Sequence, residues 1–389
     1  MEKKKAILFD LLCAQPMNGT KFHGGGEYTK TIFHSFLNHR TGKKDFEVLA
    51  FYDKDKFIDK WIVDYITENN IRCFDIKSVE NVSKLLLDLC NEYDLSFYAG
   101  MGYGYESVSF PKGIKTFATF HGLRQIEILF DKTITQYMSS INDYKLFIYY
   151  TFFKKRLIKR LRYSYEKSME KFNVIFTVSN FSKYSIMINF PNIYHSKSIY
   201  AFYPPLKYNE QHNSFQDSSD KNYIMMISGN RWLKNCYRGI LSIDSLYSKG
   251  FLSKIRTVIY GGVPKRIQKQ IKNKCNFMFF DYVSSSELEE AYKNCSLFFY
   301  PTLNEGFGSP PLEAMKYGKT CLISSVSSLP EVYGDSVYYC NPYDLGEMEN
   351  KILYSINNKI EKEIVIRRAK YLFEKQHNDT ICLVDMICE

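Results

Sequence analysis

Short apolar runs, each followed by a longer stretch of helical pattern, recur along this chain in two sets, and few folds accept that rhythm. The first set of expected strands is Lys5–Cys13, Phe46–Tyr52, Ile71–Ile76, Leu95–Ala99, Ile114–Phe120, Asn173–Val178 and Lys197–Tyr203. The second is Asn222–Ser228, Arg256–Tyr260, Asn276–Phe280, Ser296–Tyr300, Lys319–Ser324 and Ser336–Cys340. Segments between them, such as Tyr28–Leu37, Ser284–Asn294 and Pro311–Tyr317, read as helices. Strands that are apolar throughout belong to parallel sheets covered on both faces, and the intervening helices supply the crossovers. A polar stretch from Asn209 to Lys221 separates the two sets. The expected architecture is therefore α/β, with two Rossmann-like, doubly wound domains at residues 1–205 and 206–369 facing across a cleft. Ligands of such sheets bind beyond the carboxyl ends of the strands, so the cleft is the expected site.

Composition removes several other classes. Across 389 residues, 45% are hydrophobic and 24% charged, which suits sizeable cores and excludes extended disorder. The longest apolar runs, such as Tyr144 to Phe153, are short and interrupted by charge, so no membrane-spanning helix is expected. The start, Met1-Glu-Lys-Lys-Lys5 and then Ala6-Ile-Leu-Phe-Asp10, holds too short an apolar run for a signal peptide, which points to the cytoplasm. Ten cysteines form no Cys-x-x-Cys pair, and Cys73, Cys295, Cys321 and Cys340 lie on strand-like segments. They read as small buried hydrophobes of a reducing compartment, and no metal site is expected. The net charge of +10 favours polyanionic partners such as nucleic acid, sugar nucleotides or an anionic membrane surface.

The densest chemical pattern is Asn304-Glu-Gly-Phe-Gly-Ser-Pro-Pro-Leu-Glu-Ala-Met-Lys-Tyr-Gly318, running from a strand into a helix. Gly306 and Gly308 leave the backbone bare, so the amides of Phe307, Gly308 and Ser309 can approach a ligand. The helix start adds N–H groups that favour an anion, and Pro310 and Pro311 suit a first helical turn. Glu305 and Glu313 flank the turn and can accept hydrogen bonds from sugar or ribose hydroxyls. In Ile227-Ser-Gly-Asn-Arg-Trp-Leu-Lys-Asn235, Arg231 and Lys234 follow a strand. An arginine fork and a lysine point charge there can grip a diphosphate, although an exposed basic turn has the same look. Phe22-His-Gly-Gly-Gly-Glu27 places Gly24, Gly25 and Gly26 in a loop between strand and helix, fit for phosphate or sugar or for a plain tight turn. His121, beside Gly122 at a strand end, can reach into a cleft or serve as a core histidine. Finally, residues 152–171 carry eight cations between Lys154 and Lys171, with Phe153, Leu157, Ile158, Leu161 and Tyr165 at helical spacing. This basic amphipathic helix can lie on anionic lipid or simply pack by its apolar face. No RNA-binding signature accompanies it, and no nucleic-acid partner is expected.

The pattern Glu305-x7-Glu313 within Asn-Glu-Gly-Phe-Gly-x-Pro-Pro-Leu-Glu-Ala-Met resembles the signature of retaining family 4 glycosyltransferases, glycosyl transferases group 1 of the GT-B fold. Phe280-Asp-Tyr-Val-Ser284 upstream and Ser327-Ser-Leu-Pro-Glu-Val332 downstream extend the likeness, which covers about Asn222 to Asp344. It implies that a sugar passes from a nucleotide-diphosphate sugar to an acceptor hydroxyl with retention, without a metal ion or other cofactor. Glu305 would hold the donor sugar, Glu313 the ribose hydroxyls, and backbone around Tyr282 and Val283 the base. Arg231, Lys234 and the amides after Gly308 would stabilise the leaving diphosphate, with His121 and the Gly24–Gly26 loop completing the site from the first domain. The last helix, from about 370 to 389, would cross back to that domain. A saccharide or lipid-linked acceptor in bacterial surface polysaccharide or glycolipid synthesis, at the inner face of the membrane, fits the resemblance. The rivals are an inverting or epimerising GT-B enzyme, a catalytically silent sugar- or membrane-binding scaffold, and a nucleic-acid-binding protein.

Overall fold

A computed structural model describes residues 3–17, 23–40, 46–206 and 221–389 of the chain. Strands form at every expected position, most of them shorter than the apolar runs that mark them. The first sheet comprises β1 (Lys4–Asp10), β2 (Phe46–Tyr52), β3 (Arg72–Asp75), β4 (Tyr93–Ala99), β5 (Lys115–Phe120), β6 (Val174–Thr177) and β7 (Ser198–Ala201). The second comprises β8 (Tyr223–Met226), β9 (Arg256–Tyr260), β10 (Phe277–Phe280), β11 (Leu297–Tyr300), β12 (Cys321–Ser324) and β13 (Tyr338–Cys340). Their orders are β3-β2-β1-β4-β5-β6-β7 and β10-β9-β8-β11-β12-β13, with every pairing parallel. Each sheet therefore reverses its winding once, between β1 and β4 in the first and between β8 and β11 in the second. Such switch points are where doubly wound sheets take their ligands.

Burial explains why the strands were easy to find. β11 and β12 are buried at every position, and β1, β2, β4 and β5 at most of theirs, while β3, β7 and β10 are more exposed. In the first unit Phe9 meets Phe33, Phe36 and Tyr98 edge-on at centroid distances of 5.3, 4.8 and 5.4 Å. In the second, Ile224, Met226, Ile240, Ile243, Phe299 and Leu322 belong to one apolar core. Cys295, Cys321 and Cys340 are buried and Cys73 partly so, all as free thiols.

Several expectations need correction. The first strand stops at Asp10 rather than Cys13, because the Asp10 carboxylate accepts from the Leu12 N–H at 2.7 Å and turns Leu12–Ala14 into a short 3-10 helix. Gly24, Gly25 and Gly26 are the first turn of a helix, Gly24–Arg40, and not a loop. Phe22 and most of the polar stretch at 209–221 lie outside the described residues. The basic segment is not one helix from 152: Phe152 closes the helix Ile141–Phe152, Phe153 breaks the run, and Lys154–Glu170 follows.

Against the domain boundaries expected at 205 and 369, with the last helix crossing back, the segment 124–157 falls with the second of two compact units. One comprises 1–123, 158–213 and 374–389, and the other 124–157 and 214–373. Residues 124–157 thus group with the second sheet, through bonds made at sequence separations near one hundred. Asp131 pairs with Arg238 at 2.6 Å, Thr133 accepts from the Trp232 indole at 2.9 Å, and the Tyr137 hydroxyl accepts from the Tyr237 N–H at 2.8 Å. The last helix, Lys362–Cys388, begins in the second unit and ends in the first. There Gln376 donates to the Pro204 carbonyl at 2.7 Å, Asp379 accepts from the Tyr203 N–H at 2.8 Å, and Leu383, Val384 and Ile387 are buried.

Candidate active site

At the switch point of the second sheet, the chain leaving β8 forms the turn Arg231–Asn235 and the chain leaving β11 delivers Thr302 to Glu305. Trp232–Lys234 is a single 3-10 turn closed by Asn235 in the left-handed region, φ 56°. That turn carries Lys234 inward. Its ammonium donates to Glu305 Oε1 at 2.5 Å and to the Tyr300 hydroxyl at 2.5 Å. The same carboxylate oxygen accepts from Tyr300 at 2.6 Å and from Thr302 at 2.8 Å. The backbone around Glu305 is held as firmly. Its N–H donates to Ser327 Oγ at 2.9 Å, and Ser328 Oγ donates to the carbonyls of Glu305 and Phe307.

Conformational strain gathers in the same place. Among the described residues, non-glycine residues with positive φ include Ser228 after β8, Asn235 after the cationic turn and Ser327 beside Glu305. Each such residue costs about 1–3 kcal/mol, and strain of this kind concentrates at functional sites. Gly308 has φ 87°, a left-handed conformation that favours glycine, and a Cβ there would push on a Leu329 methyl 2.5 Å away. Ser309 and Pro310 then open the short helix Pro310–Met315, which holds Glu313 in its first turn, paired with Lys316 at 3.3 Å.

Burial is the largest single influence on each member of the pair. Burial pushes the Glu305 carboxyl up, but Lys234, Tyr300 and Arg124 together outweigh it and hold it below its ordinary value. Burial lowers Lys234, the nearby Arg124 and Arg231 push the same way, and Glu305 opposes them without reversing the shift. The site is thus a buried ion pair flanked by two further cations, of which Arg124 and Arg231 are both exposed. Arg124 belongs to the short helix Arg124–Glu127, and Glu127 accepts from Asn304 Nδ2 at 2.9 Å, immediately before Glu305. The other side-chain atom of Asn304, Oδ1, is buried without a hydrogen-bond partner.

The carboxyl ends of β8, β9 and β10 adjoin one another beside this cluster. Asn230 N–H donates to the Gly261 carbonyl at 2.9 Å, and Gly262 N–H donates to the Phe280 carbonyl at 3.1 Å. Gly261 and Gly262 both have positive φ, and a Cβ on Gly261 would stand 2.9 Å from Ser228 Cα. Tyr282 and Val283 follow β10 in this region, with Tyr282 largely exposed.

In the first unit the corresponding switch point gathers the glycine turn and His121. His23 Nδ1 accepts from the Gly26 N–H at 3.1 Å while its Nε2 faces the Gln15 carbonyl at 3.2 Å, a network that assigns the proton to Nε2. His121 Nε2 bonds the Gly100 carbonyl at 2.9 Å, and Tyr28 meets the His121 ring edge-on at 4.6 Å. A Cβ on Gly100 would lie 2.0 Å from Thr29 Oγ1, so the chain leaving β4 touches the glycine-led helix directly.

The structure therefore brings together Glu305, Lys234 and the Gly306–Ser309 turn, with Arg231 beside them, and separately the Gly24–Gly26 turn with His121. The sequence reading missed Arg124, Tyr300, Thr302, Gly261, Gly262 and His23. A glycine pair after β9 and a hydroxyl-bearing strand end at β11 were visible signals; Arg124 had none, because its role depends on where its segment packs. Among the described residues, no group of three or more His, Cys, Asp or Glu is placed to hold a metal ion, and no helix is long and apolar enough to cross a membrane.

Comparison with known proteins bears on both halves. Residues 207–371 match the family described as Glycosyl transferases group 1. The Escherichia coli serotype-specific mannosyltransferase WbdA is 40% identical over 76 residues, which are 20% of this chain and 9% of that protein. The Escherichia coli O-antigen chain mannosyltransferase B is 37% identical over 91 residues, 23% of this chain and 24% of the relative. The chain thus spans less than a quarter of the curated relatives it matches. Anabaena HepE, solved with UDP and glucose, aligns over 99% of both chains with a TM-score of 0.62 at 14% identity. That likeness is one of fold, and it makes the two parallel-sheet units those of the GT-B class.

Proposed function

We propose that this chain, with its Glycosyl transferases group 1 match at 207–371, transfers a sugar from a nucleotide-diphosphate sugar to an acceptor hydroxyl with retention, in polysaccharide synthesis. The observation that carries this reading is the buried Lys234–Glu305 pair at the β8/β11 switch point, with Arg124 and Arg231 beside it. Three cations, Lys234, Arg124 and Arg231, face two carboxylates, Glu305 and Glu127, and leave an excess of positive charge. A departing nucleoside diphosphate brings negative charge, and preorganised cations stabilise it as it develops. Arg231 supplies a bidentate fork and Lys234 a point charge, while the amides after Gly308 approach the phosphates. The proposal needs no metal ion for the leaving group. Glu305, fixed by Tyr300 and Thr302, faces the donor sugar, Glu313 takes the ribose hydroxyls, and the backbone at Tyr282 and Val283 carries the base. His121 and the Gly24–Gly26 turn serve the transferred sugar and the acceptor. The leaving phosphate takes the acceptor proton as the new bond forms on the face the old one leaves, which balances the charge and retains configuration.

The mannosyltransferase relatives favour a mannosyl donor, and a saccharide or lipid-linked acceptor follows from their O-antigen role. On this reading the protein works at the cytoplasmic side of a membrane, with the cations of 152–171 against anionic headgroups. The test is calorimetric titration with UDP, GDP, ADP and CMP, with Mg²⁺ and with EDTA, on the native protein and on Glu305→Ala/Arg231→Ala. One diphosphate binding in EDTA, and weakened in the variant, supports the reading. Strict dependence on metal overturns the cation account, and failure of every diphosphate to bind leaves a silent scaffold. The anomeric configuration of the product, read by NMR, decides retention.

A further inference from the structure

The helix Ile141–Phe152 is apolar on nearly every side, yet the chain covers only one of them. Tyr150 on the inner side stacks on Phe130 at 5.5 Å, and Phe130 leans on Trp232 at 5.2 Å. On the outer side Ile141, Lys145, Ile148, Tyr149 and Phe152, at positions i, i+4, i+7, i+8 and i+11, form a single stripe, with Tyr144, whose hydroxyl accepts from Arg266, at its edge. Ile141 is 76% exposed, Ile148 55% and Phe152 78%, and Phe153 in the break that follows is 50% exposed. A helix of this composition is normally buried, and contiguous exposed apolar surface marks a site of association.

Charge identifies what covers it. From Tyr144 to Tyr165 the sequence holds seven cations and no acid. Lys154, Lys155, Arg156, Lys159 and Arg160, in the first turns of the next helix, are all exposed, and among the described residues none of them meets a carboxylate. That helix keeps its own apolar residues for the protein: Leu157, Ile158 and Leu161 are half-buried and Tyr165 is buried. It therefore has cations to offer to a surface but no free apolar stripe, and the stripe belongs to the helix before it. A second copy of the chain on the same face would bring like-charged rows together.

We infer that Ile141–Phe152 is a wedge for a bilayer carrying anionic headgroups, its outer stripe entering the headgroup and acyl boundary while the cations from Lys154 to Arg160 hold the phosphate layer. This deepens the membrane contact proposed for 152–171 and rests on that reading for the choice of surface. The full-length protein should co-sediment with vesicles of phosphatidylcholine mixed with phosphatidylglycerol and not with phosphatidylcholine alone. Ile148→Ser/Phe152→Ser should weaken that binding by about tenfold or more, given the apolar area removed. Lys155→Glu/Lys159→Glu should weaken it as well, and added salt should weaken the native protein but matter less to that variant. Thermal melts verify that each variant is folded, and nucleoside diphosphate binding, measured in parallel, reports on the transferase reading separately. The inference is overturned if the native protein stays in the supernatant with anionic vesicles, or if Ile148→Ser/Phe152→Ser binds them equally well. It is also overturned if light scattering finds a native dimer that the same variant dissolves, since the stripe is then an interface between copies.

Discussion

Lys234 and Glu305 act as one group, since neither charge has water enough to stand alone. Their side chains are 11% and 8% exposed. Lys234→Met leaves a buried carboxylate without its cation and should cost about 3–5 kcal/mol in denaturant unfolding. Adding Glu305→Gln should return most of that stability while leaving the protein inactive, which separates the fold's need for the pair from the chemistry's. Asp10 is the other informative residue. Burial raises its carboxyl to about 6, against the lowering effect of its bonds to the Tyr105 hydroxyl and the Leu12 N–H. The folded state thus holds this proton more tightly than the unfolded chain. Its stabilising contribution is complete below pH 4 and is lost as pH rises through about 6, amounting to roughly 3 kcal/mol at most. Asp10→Asn, neutral at every pH, should flatten the melting temperature between pH 4 and 6.5, and a pH series of melts of the two proteins checks it.

At the scale of elements, the segment 124–157 is the one whose place in the molecule matters most. It bonds the cationic turn at Trp232 and the helix that follows it at Arg238, and brings Arg124 into the field of Lys234 and Glu305. Arg124→Ala should weaken nucleoside diphosphate binding by about tenfold, in line with the loss of one charge-assisted contact, without moving the melting temperature. Titration calorimetry measures it. This segment also marks where sequence reading stops. Buried strands such as Leu297–Tyr300 announce themselves because every residue is apolar, and the Asn304–Gly318 turn because glycines, prolines and two carboxylates coincide. Nothing in the local pattern around Arg124 says which sheet it joins, since Asp131, Thr133 and Tyr137 choose their partners some hundred residues away. The glycine turn failed differently. Three consecutive glycines argue for a loop by propensity, and His23 capping Gly26 tips them into a helix.

For the whole molecule, the order of segments along the chain differs from the order in space. The last sixteen residues, 374–389, belong with the first sheet and bury Leu383, Val384 and Ile387 there. Deleting them removes those apolar contacts and the bonds of Gln376 and Asp379 to the chain leaving β7. Calorimetric unfolding of such a variant should show the first unit melting well below its native temperature, with the second unit little changed.

The Lys362–Cys388 helix also imposes a timetable on synthesis. The first unit lacks its final core residues until 374–389 have followed 214–373 out of the ribosome. The second unit, closed at Phe373, has every residue it needs sooner. Of the two units, the one that contains residues 158–213 is thus completed only after the segment 214–373 has been made, so its core waits on the other's synthesis.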